Sequence, residues 1–341
     1  MKLIVYYDDN YPTWWVSREI SKKITSFLRS KNFVEYNAED LAKWMEKSIE
    51  EKSCSESVVV FSQDVIPDAI CFWWSPSTLI REYLDSGGRI VWIGDSPFYY
   101  WGQHPSRSSE FEKWSEDKKR RWRLLEDREG NFALTWDTDG PFNTLGVVPI
   151  YMDSPSSKVK ITENGKSSGI QSSWYGLRPI LIKKSGCRKR NITILARASQ
   201  PERPIQKKKA WLYKSTVKEG GGPLSSLLES LSKFVGLTPA LLALVSALVT
   251  FFIGFSLIVP LFFLAATIAF FIGFLMYWVF YSREVFASAW MRNFDNQHPS
   301  SGFLRIWDCQ LKRITNPMLE ELHRIVLASV RARESNNAKP Q

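Results

Sequence analysis

The residues best placed to do chemistry in this chain are carboxylates. Asp8 and Asp9 close a first apolar run, KLIVYY, Asp64 follows a second, VVVFS, and Asp95 with Ser96 beside it follows a third, RIVWI. In an open parallel sheet the ends of such runs converge at the carboxyl edge, where ligands bind. Acids gathered there can hold a divalent cation, or a polyhydroxylated or cationic ligand. Asp equally often caps the helices and turns that follow strands. Asp8, Asp9, Asp64, Asp95 and Ser96 are therefore the candidate ligand-binding residues. No residue is singled out as catalytic, and neither a metal nor a cofactor is identified.

Other reactive side chains form no comparable pattern. Cys54, Cys71, Cys187 and Cys309 lie far apart with no CxxC pair, so neither a zinc site nor a disulfide framework is indicated, and a reducing compartment is expected. Lys118, Lys119, Arg120, Arg121 and Arg123 with Trp114 and Trp122 make a basic aromatic patch. Interleaved Glu112, Glu116, Asp117, Glu126 and Asp127 mark it as a solvated helix rather than a nucleic-acid surface. No phosphate-cradling glycine loop occurs.

The elements that must position the acids read as alternating strands and helices. Strands are expected at 2–7, 33–36, 58–62 and 89–93, and helices over 16–31, 38–52 and 76–84. Apolar strands alternating with helices indicate a parallel sheet covered on both faces. The expectation is an α/β fold, a flavodoxin-like doubly wound sheet. Later elements are a strand at 192–196, another at 302–307 and an amphipathic helix at 316–330.

The stretch VVVFSQDVIP, then a helix, then YLDSGGRIVWIGDSPF resembles the class I glutamine amidotransferase-like superfamily, over roughly residues 1–101. In its catalytic members a Cys nucleophile follows the strand that RIVWI represents, whereas here Ile93 and Gly94 lead to Asp95, Ser96 and Pro97. The His and acid of such a triad also have no match, the chain offering only His104, His298 and His323. The resemblance thus implies a binding or scaffold domain without amidotransferase activity. The acid pair after the first strand is similar to that of phospho-receiver domains, but Gln63 stands where their acceptor would precede Pro67.

The net charge of +10 is compatible with a nucleic acid, a membrane surface or a positive-inside bias, and location decides among them. Phe234 to Ser282 contains no Asp, Glu, Lys, Arg or His, with basic residues crowded before it and Arg283 and Arg292 after it. As one helix, the run from Pro239 to Tyr281 would be about 65 Å long, twice the ~30 Å hydrocarbon thickness. Two spans broken near Pro260 fit instead, with Ser246, Thr250 and Gly254 facing Ala265, Ala269 and Gly273 as ridges of small residues, within the hairpin or between copies. The sequence therefore predicts four parts: an α/β domain over 1–218, a glycine joint and interfacial helix over 219–238, a transmembrane hairpin over 239–282, and a short α+β tail over 283–341. Both soluble parts are expected in the cytoplasm.

The expected function is that of a membrane-anchored, non-catalytic sensor or scaffold. Its partners would be the lipid bilayer, a second copy through the small-residue faces of the hairpin, and a soluble ligand or protein of unknown identity, with a nucleic-acid partner not expected. The alternatives are a metal-assisted hydrolase working through the sheet-edge acids, and a membrane-disrupting effector triggered by its soluble domain.

Overall fold

The computed structural model describes residues 1–71, 78–121, 123–127, 130–135, 139–147, 158–183, 191–198, 267–268, 270–271, 273, 284–294 and 302–337. The first half alternates strand and helix: β1 (Lys2–Tyr6), α1 (Arg18–Ser30), β2 (Val34–Tyr36), α2 (Ala38–Glu50), β3 (Ser57–Phe61), β4 (Val65–Pro67), α3 (Leu79–Asp85), β5 (Arg89–Ile93) and β6 (Tyr100–Gly102). Then come α4 (Pro105–Glu112), α5 (Glu116–Arg121), β7 (Leu124–Glu126), β8 (Phe132–Thr135), α6 (Asp139–Leu145), β9 (Lys160–Ile161), α7 (Glu163–Ser167), β10 (Ile180–Lys183) and β11 (Ile192–Arg197). β12 (Glu284–Arg292), β13 (Gly302–Ile306) and α8 (Asn316–Asn337) complete the order.

Local chemistry accounts for the boundaries. Ser17 caps α1 by accepting from the Ile20 amide, Asn37 caps α2 through the Asp40 amide, and Thr78 caps α3 through the Arg81 amide. The paired glycines after α3 have separate roles. Gly87 takes a left-handed φ of 89°, and a Cβ on Gly88 would come 2.3 Å from the Tyr83 ring. β3 and β5 are buried at every residue, as strands covered on both faces must be.

The main sheet runs β2-β1-β3-β5-β13-β12-β11-β9. β2, β1, β3, β5 and β13 are mutually parallel, while β12 is antiparallel to β13 and β11 antiparallel to both β12 and β9. β10 pairs antiparallel with Val285 to Ala287 and Glu284 of β12, on the side that β13 vacates after Ile306. A second sheet, β4-β6-β8-β7, springs directly from the chain that leaves β3 and β5.

Alternate side chains feed two cores. On one face Ile4, Tyr6, Val59, Phe61, Ile90 and Trp92 pack with Leu41 and Met45 of α2 and Ile80 and Tyr83 of α3. On the other Val5, Val58, Val60, Val91 and Ile93 meet Ile20, Ile24 and Leu28 of α1 and Leu319, Leu322 and Ile325 of α8. Each such side chain contributes about 1.5–3 kcal/mol on burial. The ring of Trp92 centres the first core, 5.2 Å from Phe61 and 5.4 Å from Phe98.

This architecture corrects three expectations. The all-parallel doubly wound sheet is instead a mixed one, because β12, β11 and β9 run against their neighbours. The short α+β tail is no tail: β13 sits between β5 and β12 in the sheet, and α8 covers one face. The transmembrane hairpin, and with it the two-span integral membrane location, is not supported, since among the described residues no helix is long and apolar enough to cross a membrane. Most of 239–282, the small-residue ridges apart from Gly273, and the 219–238 joint lie outside the described residues.

The chain forms two compact units, residues 1–205 with 284–341, and residues 206–283. The second is thus an insertion between β11 and β12, which are neighbours in one sheet. Its positively charged flank after Ser282 has a structural use. Arg292 ends β12, donates to the Leu145 carbonyl and lies over the Phe294 ring.

Candidate functional site at the carboxyl edge

Three parallel strands, β1, β3 and β5, bring the candidate acids to one edge of the sheet, and each acid meets a different partner there. Asp8 is buried, and its two carboxylate oxygens accept from the amides of Asn10 and Ala38, the latter opening α2. It is a helix and turn cap. Gln63 completes this corner, its side chain accepting from the Asp8 amide at 2.8 Å and donating to the Asp8 carbonyl at 2.9 Å, so that it clamps the end of β1 to the end of β3. Asp9 turns outward to Arg18 at 3.0 Å, Lys22 at 3.1 Å and the Tyr7 hydroxyl. Partial burial opposes its ionisation, but these donors outweigh it and hold the carboxyl below its ordinary value.

Asp64 and Asp95, at the ends of β3 and β5, are both fully buried. Asp64 accepts from the amides of Trp14 at 2.9 Å and Trp15 at 2.5 Å. Burial pushes its carboxyl up to about 7, against the Trp14 amide and with help from the neighbouring Asp95. Asp95 has a cation, Arg178, at 2.6 Å, and its other oxygen accepts from the Ser96 amide. Burial nevertheless outweighs Arg178 and raises the Asp95 carboxyl. The buried Ser96 hydroxyl has no hydrogen-bond partner among the described residues.

Three residues absent from the sequence reading finish the network. Arg178 lies between two aromatic rings, 4.3 Å from the centre of Trp15 and 4.6 Å from that of Tyr99, with its side chain 15% exposed. Arg305, fully buried near the end of β13, donates to the Arg178 carbonyl at 2.6 Å and to the Gly94 carbonyl at 3.3 Å. Asp308 accepts from the Trp174 indole at 2.6 Å, and its carbonyl from the Leu177 amide. Burial lowers the affinity of Arg305 for its proton and raises the Asp308 carboxyl, each opposed by the other's charge. Two bulky buried residues hold left-handed backbone beside this network, Phe98 at φ 59° and Trp307 at φ 52°, an arrangement that persists only where surrounding contacts enforce it.

The structure therefore brings Asp64, Asp95 and Ser96 into one buried cluster and sends Asp8 and Asp9 elsewhere. Among the described residues no three His, Cys, Asp or Glu side chains are grouped to hold a metal. His104 packs on Tyr11 and His323 on Phe27 and Phe33. Burial pushes the thiols up, Cys54 to about 11 and Cys309 to about 12. Arg305 carried one sequence cue, a cation inside the apolar strand GFLRI; Arg178 carried none.

Fold and site together define a mixed α/β domain with a buried, internally paired charge network at the carboxyl edge of its parallel strands. Residues 1–111 match the MJECL34 family. The uncharacterized protein MJECL34 of Methanocaldococcus jannaschii is 37% identical over 103 residues, which is 29% of this chain and 34% of that relative. The chain thus spans about a third of the relative's length. No solved structure matches. These findings replace the resemblance to the class I glutamine amidotransferase-like superfamily, because the family matched over the same N-terminal residues is MJECL34. Asp8, Asp64, Asp95 and Ser96 fall within the matched stretch, whereas Arg178, Arg305 and Asp308 lie outside it.

Proposed function

We propose that this chain is a non-catalytic sensor or scaffold that binds a ligand or protein partner at the carboxyl edge of its parallel strands. The observation that carries this reading is how completely the edge charges are used. Asp8 caps α2, Asp95 pairs with Arg178 and Asp64 holds two amides, and among the described residues no three His, Cys, Asp or Glu side chains are grouped to hold the metal that a metal-assisted hydrolase would require. The cation nearest these buried acids is Arg178, 15% exposed within its aromatic frame. β11 ends and β12 begins at this same edge.

The test has two arms, both on the full chain. A small-molecule panel screened by ligand-observed NMR should give compounds whose binding is lost in Arg178→Gln and which are recovered unchanged. Titration with Mg²⁺ and Mn²⁺ should show no binding that depends on Asp64 or Asp95. Metal binding abolished by Asp64→Asn and Asp95→Asn, together with turnover of p-nitrophenyl phosphate or acetate that vanishes in the same variants, would replace this reading with the hydrolase.

A further inference from the structure

Five polar atoms at the carboxyl edge make no hydrogen bond among the described residues: Ser96 Oγ, Ser288 Oγ, Trp290 Nε1, Arg305 Nε and Asp308 Oδ2. All five residues are fully buried. Buried polar atoms are bonded in the great majority of cases, so orphans on neighbouring strands point to a shared cause. Trp290 of β12 stands opposite Arg305 of β13, and Arg305 stands level with Trp92 of β5. Ser96 and Asp308 follow where β5 and β13 end. Ser288, two residues before Trp290, shares its face of β12. A Cβ on Gly176 would fall 2.6 Å from Ser288 Oγ and 2.8 Å from Asp308 Oδ1, which sets that hydroxyl beside that carboxylate. It is near enough to favour ionised Asp308 without aligning to bond it.

The segment 174–178 crosses these atoms. Its Trp174 indole donates to Asp308 Oδ1 at 2.6 Å, its Leu177 amide to the Asp308 carbonyl at 2.8 Å, and its Arg178 carbonyl accepts from Arg305 at 2.6 Å. It forms no helix and only one bridge, Tyr175 to Lys158. It is a strap over partnerless polar atoms.

We propose that these atoms bind a small neutral molecule rich in hydroxyl groups, of sugar or cyclitol size, which enters as the 174–178 strap lifts. It is the ligand of the edge-binding role proposed above, and its class rests on that role. The atoms select the chemistry. Arg305 Nε and Trp290 Nε1 donate, the Asp308 carboxylate accepts, and the serine hydroxyls do either. A ligand hydroxyl accepts from the first two and donates to the third. A bare oxyanion has nothing to give Asp308, and an ammonium nothing to accept from the indole. Charge points the same way, since Asp95 is paired with Arg178, and Arg305 favours ionised Asp308. A charged ligand would be buried there without a counter-ion. The strands set the size, because β5 to β12 is two strand spacings, about 10 Å.

Ligand-observed NMR on the full chain tests this with myo-inositol, D-glucose and D-mannose set against citrate, inorganic phosphate and putrescine. A hydroxyl-rich compound should bind, and Ser96→Ala and Ser288→Ala should each weaken it about two- to tenfold, the worth of one hydrogen bond. Both variants should melt no lower than wild type, because each removes a buried hydroxyl that makes no hydrogen bond in the free protein. The bound compound should also change hydrogen exchange at residues 174–178. Binding of citrate, phosphate or putrescine that is lost in Arg178→Gln, with no sugar or inositol bound, would overturn the proposed class and keep the edge-binding role. Silence from every compound would overturn both. A sugar or inositol that binds equally well to both serine variants, or that leaves exchange at 174–178 unchanged, would overturn the placement. Should the variants fail to fold, exchange in the wild type decides alone.

Discussion

Removing Arg178 should be among the most damaging single changes in the sheet domain. In Arg178→Met, Asp95 stays fully buried and loses a cation at 2.6 Å, with Arg305 left as the nearest charge that opposes its burial. Breaking one side of a buried ion pair costs about 3–5 kcal/mol, and the lost stacking between Trp15 and Tyr99 adds about 0.5–2 kcal/mol. The sign with pH follows from Asp95. Its carboxyl already lies above its ordinary value, so the folded state holds the proton more tightly than the unfolded state. The stabilisation from the protonated form is complete below the ordinary carboxylate value and is lost as pH rises toward the folded value. Losing Arg178 raises that value further, so the penalty should be larger at pH 8 than at pH 5. Guanidinium chloride unfolding at both pH values measures this, with Asp95→Asn added in the Arg178→Met background to recover most of the loss at pH 8. A penalty below about 1 kcal/mol, or no recovery in the double variant, would refute the view that the pair is buried and coupled.

Other expectations concern single positions. Asp64→Asn should flatten the pH dependence of urea unfolding: a carboxyl moved from 3.8 to about 7 makes the wild-type domain lose stability as pH rises from 4 to 7, on the order of 4 kcal/mol in all at 1.36 kcal/mol per unit. A wild-type midpoint that rises over that interval would contradict it. Gly88→Ala should lower thermal stability by about 1–3 kcal/mol, because its Cβ would fall 2.3 Å from the packed Tyr83 ring, and an unchanged melting temperature would show that the ring has room to move.

Much of the parallel half was legible because its signals are local. β1, β3 and β5 are continuous apolar runs, α1 and α2 announce themselves by Ser17 and Asn37 with periodic apolar residues behind them, and Gly87-Gly88 marks the turn into β5. β12 was not legible. EVFASAWMR is neither a continuous apolar run nor a clean alternation, and after an uncharged stretch its arginine read as a membrane flank. β13 was read as a strand, but its place between β5 and β12 depends on pairing across more than 200 residues, as between Arg89 and Gly302. No local pattern encodes that. The same division holds at the site. Strand-end acids could be placed from sequence, while their partners, Arg178 for Asp95 and the Trp14 and Trp15 amides for Asp64, come from segments that only the fold brings near.

The central claim is that the two flanks of the insertion build one sheet, and with it the charge network of the carboxyl edge. Joining Ile205 directly to Glu284 tests this most directly. The shortened protein should unfold in a single cooperative transition and keep the Arg178→Met penalty, since Asp95, Arg178, Arg305 and Asp308 all lie in the retained unit. A protein ending at Ile205 should fail to fold for want of β12, β13 and α8. Cooperative folding of the piece ending at Ile205, or failure of the joined protein to fold, would contradict the account.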